Sequence, residues 1–241
     1  MEEAMGKAKF GRHRRKIMPF EPGDLASRSR EKAANLNQHL LGYGVVAEAE
    51  WREAGIPAPD LGALRRYRLE RIRAELRRHD LAGVLLYDPV NIRYATDSTN
   101  MQVWTAHNPT RYCFVATDGP VVLFEFHNCE HLSDHAGMVD EVRRASSFMY
   151  FYGGENTPKH VKRWAAGIVD VVGEHGGGNT RIAADHLDAD GAKELAKHGI
   201  SVHNGEQVME RARLIKSLDE IICMRRSMWP ASARWPKWRL H

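Results

Sequence analysis

The stretch Asn91 to Arg111, NIRYATDSTNMQVWTAHNPTR, is dense in directional side chains. Arg93, Tyr94, Asp97, Asn100, Gln102, Trp104, His107, Asn108 and Arg111 all fall within it. A large aromatic beside Arg and His suits a small charged or zwitterionic ligand. The indole face attracts a cation, and a guanidinium grips a carboxylate through two parallel bonds. The segment lies between an apolar run and a hairpin signal and reads as a loop. At about 20 residues it reaches the length at which an unstructured connection is usually functional. The competing reading is a polar loop that satisfies its own backbone.

His127, His131 and His135 recur at every fourth position, with Cys129, Glu130 and Asp134 among them. On a helix the three imidazoles would share one face at metal-ligand spacing. Little apolar periodicity accompanies them, so an exposed loop or short helix with scattered histidines is the alternative. The run His175 to Gly178, HGGG, is shared with esterase oxyanion loops, but no Gly-x-Ser-x-Gly elbow exists in the chain, and a glycine helix stop explains it. There is no Gly-x-Gly-x-x-Gly fingerprint and no Walker loop, so a dinucleotide or nucleoside triphosphate site is unsupported.

The elements that must position these residues alternate. Glu31 to Ala54 is weakly helical, and Pro57 and Pro59 break it. Asp60 can cap a helix whose stripe is Leu61, Leu64, Leu69, Ile72 and Leu76, running to His79. Arg65, Arg66, Arg68, Arg71 and Arg73 crowd its other face, read as solvated and paired with Glu70 and Glu75. LAGVLLY (81–87) reads as a buried strand, and RYCFVA (111–116) and VVLFEF (121–126) as a hairpin around Thr117-Asp118-Gly119-Pro120. SSFMYFY (146–152) reads as a further strand. Thr157-Pro158 opens a helix carried by Val161, Trp164, Ala165, Ile168 and Val172 and stopped by Gly176 to Gly178. RIAAD (181–185), a helix near 189–198, GISVH (199–203) and a helix at 206–214 complete the pattern. The fold class is α/β, a mixed sheet with helices packed on it.

Ser217-Leu-Asp-Glu220 fits a capping box, but WPASARWPKWRLH follows Met228, with two prolines in thirteen residues. Proline costs about 3 kcal/mol inside a helix. The helix is therefore expected to stop near Met228, and the last thirteen residues read as foreign to those before them.

Charge separates the ends from the body. Residues 1–30 carry eight Lys/Arg against four Asp/Glu, and residues 216–241 carry six against two, while the whole chain is +4. The middle is thus net acidic, which argues against a nucleic-acid partner. No apolar run approaches the ~18–20 residues of a membrane span, and the start has no apolar core of a secretory signal. Three widely spaced cysteines, Cys113, Cys129 and Cys223, make neither a disulfide framework nor a zinc knuckle, so a reducing cytoplasm is the expected location.

The run LLYDPVNIRYATDSTNMQVWTAHNPTR, the hairpin after it and KSLDEIICMR resemble the N-terminal domain of the creatinase, aminopeptidase P and prolidase group, the M24 "pita-bread" metalloenzymes. Within that group, ATDSTNMQVW and HNPTR resemble the dimethylsulfoniopropionate lyase (DddP) branch. The resemblance covers about residues 50 to 228. It implies a creatinase/prolidase N-terminal-type mixed sheet flanked by helices, and a homodimer. It also implies a C-terminal catalytic domain whose two Asp, one His and two Glu hold a divalent metal such as Fe, Mn, Co or Zn. None of those motifs is in this sequence, so no residue here inherits a catalytic or metal-ligand role, and no cofactor is expected in this chain. In creatinase an aromatic and an arginine from the matching loop meet the substrate. By that resemblance Trp104, His107 and Arg111, with Tyr94 and Asp97, are the substrate-mouth candidates.

The expected organisation is a mobile basic tail over 1–45, the creatinase/prolidase-like domain over 46–217, and over 218–241 the start of a linker helix with an aberrant tail. The expected function is that of a non-catalytic dimerisation and substrate-mouth domain, ending before the metal site, of a DddP-like M24 enzyme, with a frameshift or misjoined reading frame as the cause of the early end. The alternatives are a standalone ligand-binding or partner module, or a fragment of an Xaa-Pro aminopeptidase or prolidase.

Overall fold

The computed structural model describes residues 44–133 and 136–238. By internal contacts the chain divides into two units, Met1–Pro57 and Ala58–His241. The described part of the first is helix α1, Gly44–Glu53, closed by a turn in which Ile56 N–H donates to the Trp51 carbonyl at 2.8 Å. The tail expected over 1–45 lies outside the described residues as far as 43.

The second unit opens with α2, Leu61–Arg78. Asp60 caps it, its side chain accepting from Ala63 N–H at 2.9 Å. Strand β1 (Gly83–Leu86) follows, then two short helices, α3 (Pro89–Thr96) and α4 (Gln102–His107), then the hairpin of β2 (Tyr112–Ala116) and β3 (Val121–Glu125). A 3₁₀ turn at Glu130–Ser133 leads to β4 (Glu141–Arg144) and a single helical turn, α5 (Tyr150–Gly153). After these come α6 (Thr157–His175), β5 (Arg181–Ala184), α7 (Ala189–Lys197), β6 (Ser201–Asn204), α8 (Gly205–Leu214) and α9 (Leu218–Trp238).

The six strands form one mixed sheet in the order β4-β3-β2-β1-β5-β6. β1–β2 and β2–β3 are antiparallel, whereas β1–β5, β5–β6 and β3–β4 are parallel. Side chains alternate between the faces with the period of a strand. Leu85, Phe114, Val122 and Ile182 pack with Trp164, Ile168 and Val172 of α6 and Leu195 of α7. Val84, Leu86, Cys113, Val115, Leu123 and Ala183 pack with Leu69, Ile72 and Leu76 of α2 and Val208, Met209 and Ala212 of α8. Both faces are covered, which is why these strands read as unbroken apolar runs. Gly83 has to lack a side chain: a Cβ there would stand 2.6 Å from the Phe114 ring and from the Val115 carbonyl oxygen.

Four expectations are corrected. Residues 91–111 are not one unstructured loop, because α3 and α4 take up much of the segment. SSFMYFY is not a strand. The strand is EVRR at 141–144, paired parallel to β3 from Val122↔Glu141 to Glu125↔Arg144. It lies at the sheet edge, where burial is partial and no apolar alternation is demanded. Tyr150, Phe151 and Tyr152 instead form a helical turn with exposed rings. Of the two readings of the histidines, the structure holds the loop and short helix: residues 127–133 form a turn and a 3₁₀ segment, and His135 lies outside the described residues. The arginines of α2 are mostly not a solvated face. Arg65 pairs with Asp97, Arg68 pairs with Glu220, Arg71 donates to the Ala212 and Arg211 carbonyls, and Arg73 donates to the Ala116 and Gly119 carbonyls. They tie α2 to the next segment, the hairpin turn, the end of α8 and the start of α9. Finally, α9 continues through Pro230 and Pro236 to Trp238. Proline removes one donor and crowds the preceding turn, but its φ is helical, so the ladder is interrupted rather than ended.

Candidate functional site

Arg111 lies one residue before β2, and Glu125 ends β3, the antiparallel neighbour of β2. Arg111 Nε donates to Glu125 Oε2 at 2.8 Å, with side-chain exposures of 2% and 0%. Arg111 Nη2 donates to Ser98 Oγ at 2.6 Å, and the Ser98 and Ser133 hydroxyls lie 3.1 Å apart. Glu125 also accepts from Ser133 Oγ at 3.2 Å, from Asn100 Nδ2 at 3.0 Å and from Phe126 N–H at 3.1 Å. A buried charge persists only when its lone pairs and protons are matched, and here one carboxylate receives four donors.

The cluster fastens the connection between α3 and α4. That connection needs fastening, because Asp97 and Met101 both take left-handed backbone, at φ 57° and 38°. Left-handed geometry costs a non-glycine residue about 1–2 kcal/mol. Asp97 is held by Arg65, whose Nη2 lies 2.7 Å from its Oδ2. Beyond Met101 the six residues of α4 turn one polar side chain inward, Thr105, and leave Val103, Trp104 and His107 exposed. The Trp104 ring stands 6.2 Å from that of Phe151 on α5, nearly edge-on at 70°. Tyr150 and Tyr152, the neighbours of Phe151 on α5, are exposed as well, Tyr152 with its ring against His160.

The five sequence candidates therefore separate. Trp104 and His107 sit three residues apart on α4, on one side and exposed. Tyr94 is buried, its hydroxyl donating to the Ala212 carbonyl at 3.1 Å and its ring lying 5.0 Å under the Arg68 guanidinium. Burial pushes the Tyr94 hydroxyl up to about 12. Asp97 and Arg111 are engaged as above, so the carboxylate that Arg111 grips is Glu125 of its own domain. Phe151, Ser98 and Glu125 were not singled out in the sequence. The signal for Glu125 was an acid inside the apolar run VVLFEF, which calls for a buried cation.

A second polar cluster closes the carboxyl ends of β1 and β5. Asp185 accepts from the N–H groups of Tyr87 (2.7 Å), Asp88 (3.1 Å) and His186 (2.7 Å) and from Asn91 Nδ2 (3.0 Å). Arg213 donates to Asn91 Oδ1 at 2.7 Å. Burial raises the Asp185 carboxyl above its ordinary value, against these hydrogen bonds, which lower it. A small cavity of about 220 Å³ opens beside the cluster, lined by Asn91, Asp185, Glu206, Glu210 and Arg213 among others. No group of three or more His, Cys, Asp or Glu gathers as a metal site among the described residues.

The Creatinase/Prolidase N-terminal domain family matches residues 68–215, more than half of the chain. The chain is 37% identical over 212 residues to the dimethylsulfoniopropionate lyase DddP of Roseovarius nubinhibens, covering 88% of this chain and 47% of that protein. It is 35% identical over 216 residues to the lyase of the same name from Roseobacter denitrificans, covering 90% and 48%. The chain thus spans about half the length of these curated relatives. Among solved structures, a dipeptidase from Pyrococcus horikoshii OT3 superposes with a TM-score of 0.52 at 18% identity, over 72% of this chain and 44% of that one. That likeness concerns the fold, and it agrees with the mixed sheet and its two helical layers. The chain belongs to the Creatinase/Prolidase N-terminal domain family.

Proposed function

We propose that this chain serves as the non-catalytic, self-associating N-terminal domain of a metalloenzyme of the DddP kind, and that α4 forms the rim of its substrate mouth. The observation that carries the reading is the rigid presentation of Trp104 and His107. The Arg111–Glu125 pair is buried and bonded to Ser98 and Asn100, yet the helix it anchors turns an indole and an imidazole outward. Rigid support beneath exposed aromatic and basic groups suits the recognition of a small charged or zwitterionic molecule. The chemistry of bond breaking would come from a metal held outside the residues described. The free thiols Cys113, Cys129 and Cys223 support a reducing, cytoplasmic setting, and no described helix is long and apolar enough to cross a membrane.

The test uses the purified full chain with dimethylsulfoniopropionate or an Xaa-Pro dipeptide and added Fe²⁺, Mn²⁺, Co²⁺ or Zn²⁺. No turnover is expected above that of a Trp104→Ala, His107→Ala double variant. Metal-dependent turnover above that background would overturn the non-catalytic reading. A chimera carrying the remaining half of the Roseovarius lyase tests the mouth: Trp104→Ala should raise KM there several-fold, and an unchanged KM removes α4 from substrate recognition.

A second reading, a standalone ligand-binding module, is favoured by a cavity of about 500 Å³ between α5, α6 and α7. Tyr150, Pro158 and Val161 give it apolar walls, and Lys162, Lys193 and Glu194 give it charges.

A further inference from the structure

The cavity of about 500 Å³ between α5, α6 and α7 falls within the ~300–1,000 Å³ of small-molecule sites. Pro158 and the buried Val161, on one side of α6, give it an apolar wall. Tyr150 of α5 adds an aromatic one, largely exposed. The Tyr150 hydroxyl donates to Glu155 Oε1 at 2.8 Å, so the ring is held in place before anything binds. Charge enters from two helices. Lys162 comes from α6, and Lys193 and Lys197 share one side of α7. Glu155, Asp190 and Glu194 also line the cavity, so three ammonium groups stand against three carboxylates. Their commitments differ. Lys197 Nζ donates to Glu194 Oε2 at 2.6 Å and holds that carboxyl below its ordinary value, and Lys162 acts in the same direction from α6. Lys193 Nζ lies 3.9 Å from Asp190 Oδ1, beyond hydrogen-bond reach. Lys162 makes no hydrogen bond and no ion pair among the described residues.

We infer that this cavity binds a small amphipathic monocarboxylate, its acid group between Lys162 and Lys193 and its apolar body against Tyr150, Pro158 and Val161. The inference rests on the ligand-binding reading given above and adds the class of ligand. Charge is the first argument. Glu155 is engaged by the Tyr150 hydroxyl and Glu194 by Lys197, which leaves two ammonium groups with no hydrogen-bonded carboxylate. One carboxylate has two oxygens and can accept from both. A polyanion would set its further charges against Asp190 and Glu194, and like charges held together cost affinity. A cation would meet the two unbonded ammonium groups. The apolar wall is the second argument. A bare inorganic anion leaves that wall wet and forgoes the burial of apolar surface on which small-molecule sites depend. Neither Trp104 nor His107 lines the cavity, so the site is separate from the rim at α4.

Ligand-observed NMR titration of the full chain with hydrocinnamate reads the binding. Lys162→Met and Lys193→Met, placed on different helices so that the test does not hang on one variant, should each raise Kd by about ten-fold through loss of a charge-assisted bond, with far-ultraviolet ellipticity unchanged. Lys159→Met removes an exposed charge of α6 outside the cavity and should leave Kd as it is. Hydrocinnamyl alcohol keeps the body without the charge, and inorganic phosphate keeps charge without the body. Each should bind about ten-fold more weakly than the acid, and phenethylammonium should bind more weakly still. An alcohol or an ammonium that matches the acid overturns the ligand class and leaves the ligand-binding reading standing. Phosphate that matches it overturns the role of the apolar wall. Binding undiminished in both lysine variants overturns the placement of the acid group. No binding of any probe overturns the ligand-binding reading and the inference together.

Discussion

Arg111 and Glu125 meet at 2.8 Å between neighbouring antiparallel ends of the sheet, both closed off from water. The pair does more than join two strands. Through Ser98 and Asn100 it reaches the connection that carries α4, so the exposed Trp104 depends on a charge pair buried beneath it.

Removing one partner leaves the other charged and buried. Arg111→Met should therefore destabilise the domain by about 3–5 kcal/mol. Replacing both groups, Arg111→Met with Glu125→Leu, should recover part of the loss, because no isolated charge remains. Urea unfolding of the two variants decides it, and a double variant less stable than the single would reject the account.

Two tryptophans, each with an aromatic neighbour, should differ in what their loss costs. Trp164 is fully buried in the α6 layer against Phe148, with ring centroids 4.6 Å apart. Its replacement by alanine should cost about 3–5 kcal/mol. Trp104→Ala removes a partly exposed ring and should cost within about 1 kcal/mol. Thermal melts of the pair test whether α4 is presented for recognition rather than for stability.

Asp185 links stability to pH. Burial raises its carboxyl above the unfolded value, so the native protein takes up this proton before the unfolded chain does. The contribution is present below the unfolded pKa and is lost as pH rises through the folded one. In Asp185→Asn an amide nitrogen faces donors that an oxygen accepted, a mismatch of about 1–3 kcal/mol. Wild type should exceed this variant in stability at pH 7. The gap should widen as pH falls through the raised value, and chemical denaturation at a series of pH values would show a flat gap if the carboxyl were unshifted.

Cys113 sits in the sheet with its thiol pushed up to about 12 by burial. The thiolate is the reactive form, so an aromatic disulfide reagent at pH 8 should leave Cys113 unmodified until the domain unfolds. Mass spectrometry of the labelled peptides, with and without urea, checks this. Native labelling at Cys113 would mean that β2 opens locally.

Periodicity and turn chemistry carry much of this domain. Strands buried on both faces read as apolar runs, Asp60 announces a helix, and the Ser217–Glu220 capping box forms as its residue types require. These are local effects, decided within about one helical turn or one strand pair. The edge strand EVRR escaped because its pairing with β3 is made by backbone groups that carry no sequence signal. The arginines of α2 look like a solvated face until the fold brings Asp97, Ala212 and Glu220 to them, the last of these from 152 residues away. The segment 91–111 is polar in sequence, yet Tyr94, Asp97 and Arg111 turn inward and Trp104 and His107 turn outward. Composition does not distinguish a buried ion pair from an exposed one. Whether a guanidinium meets a carboxylate of its own domain depends on strand register, and register exists only once the sheet has formed.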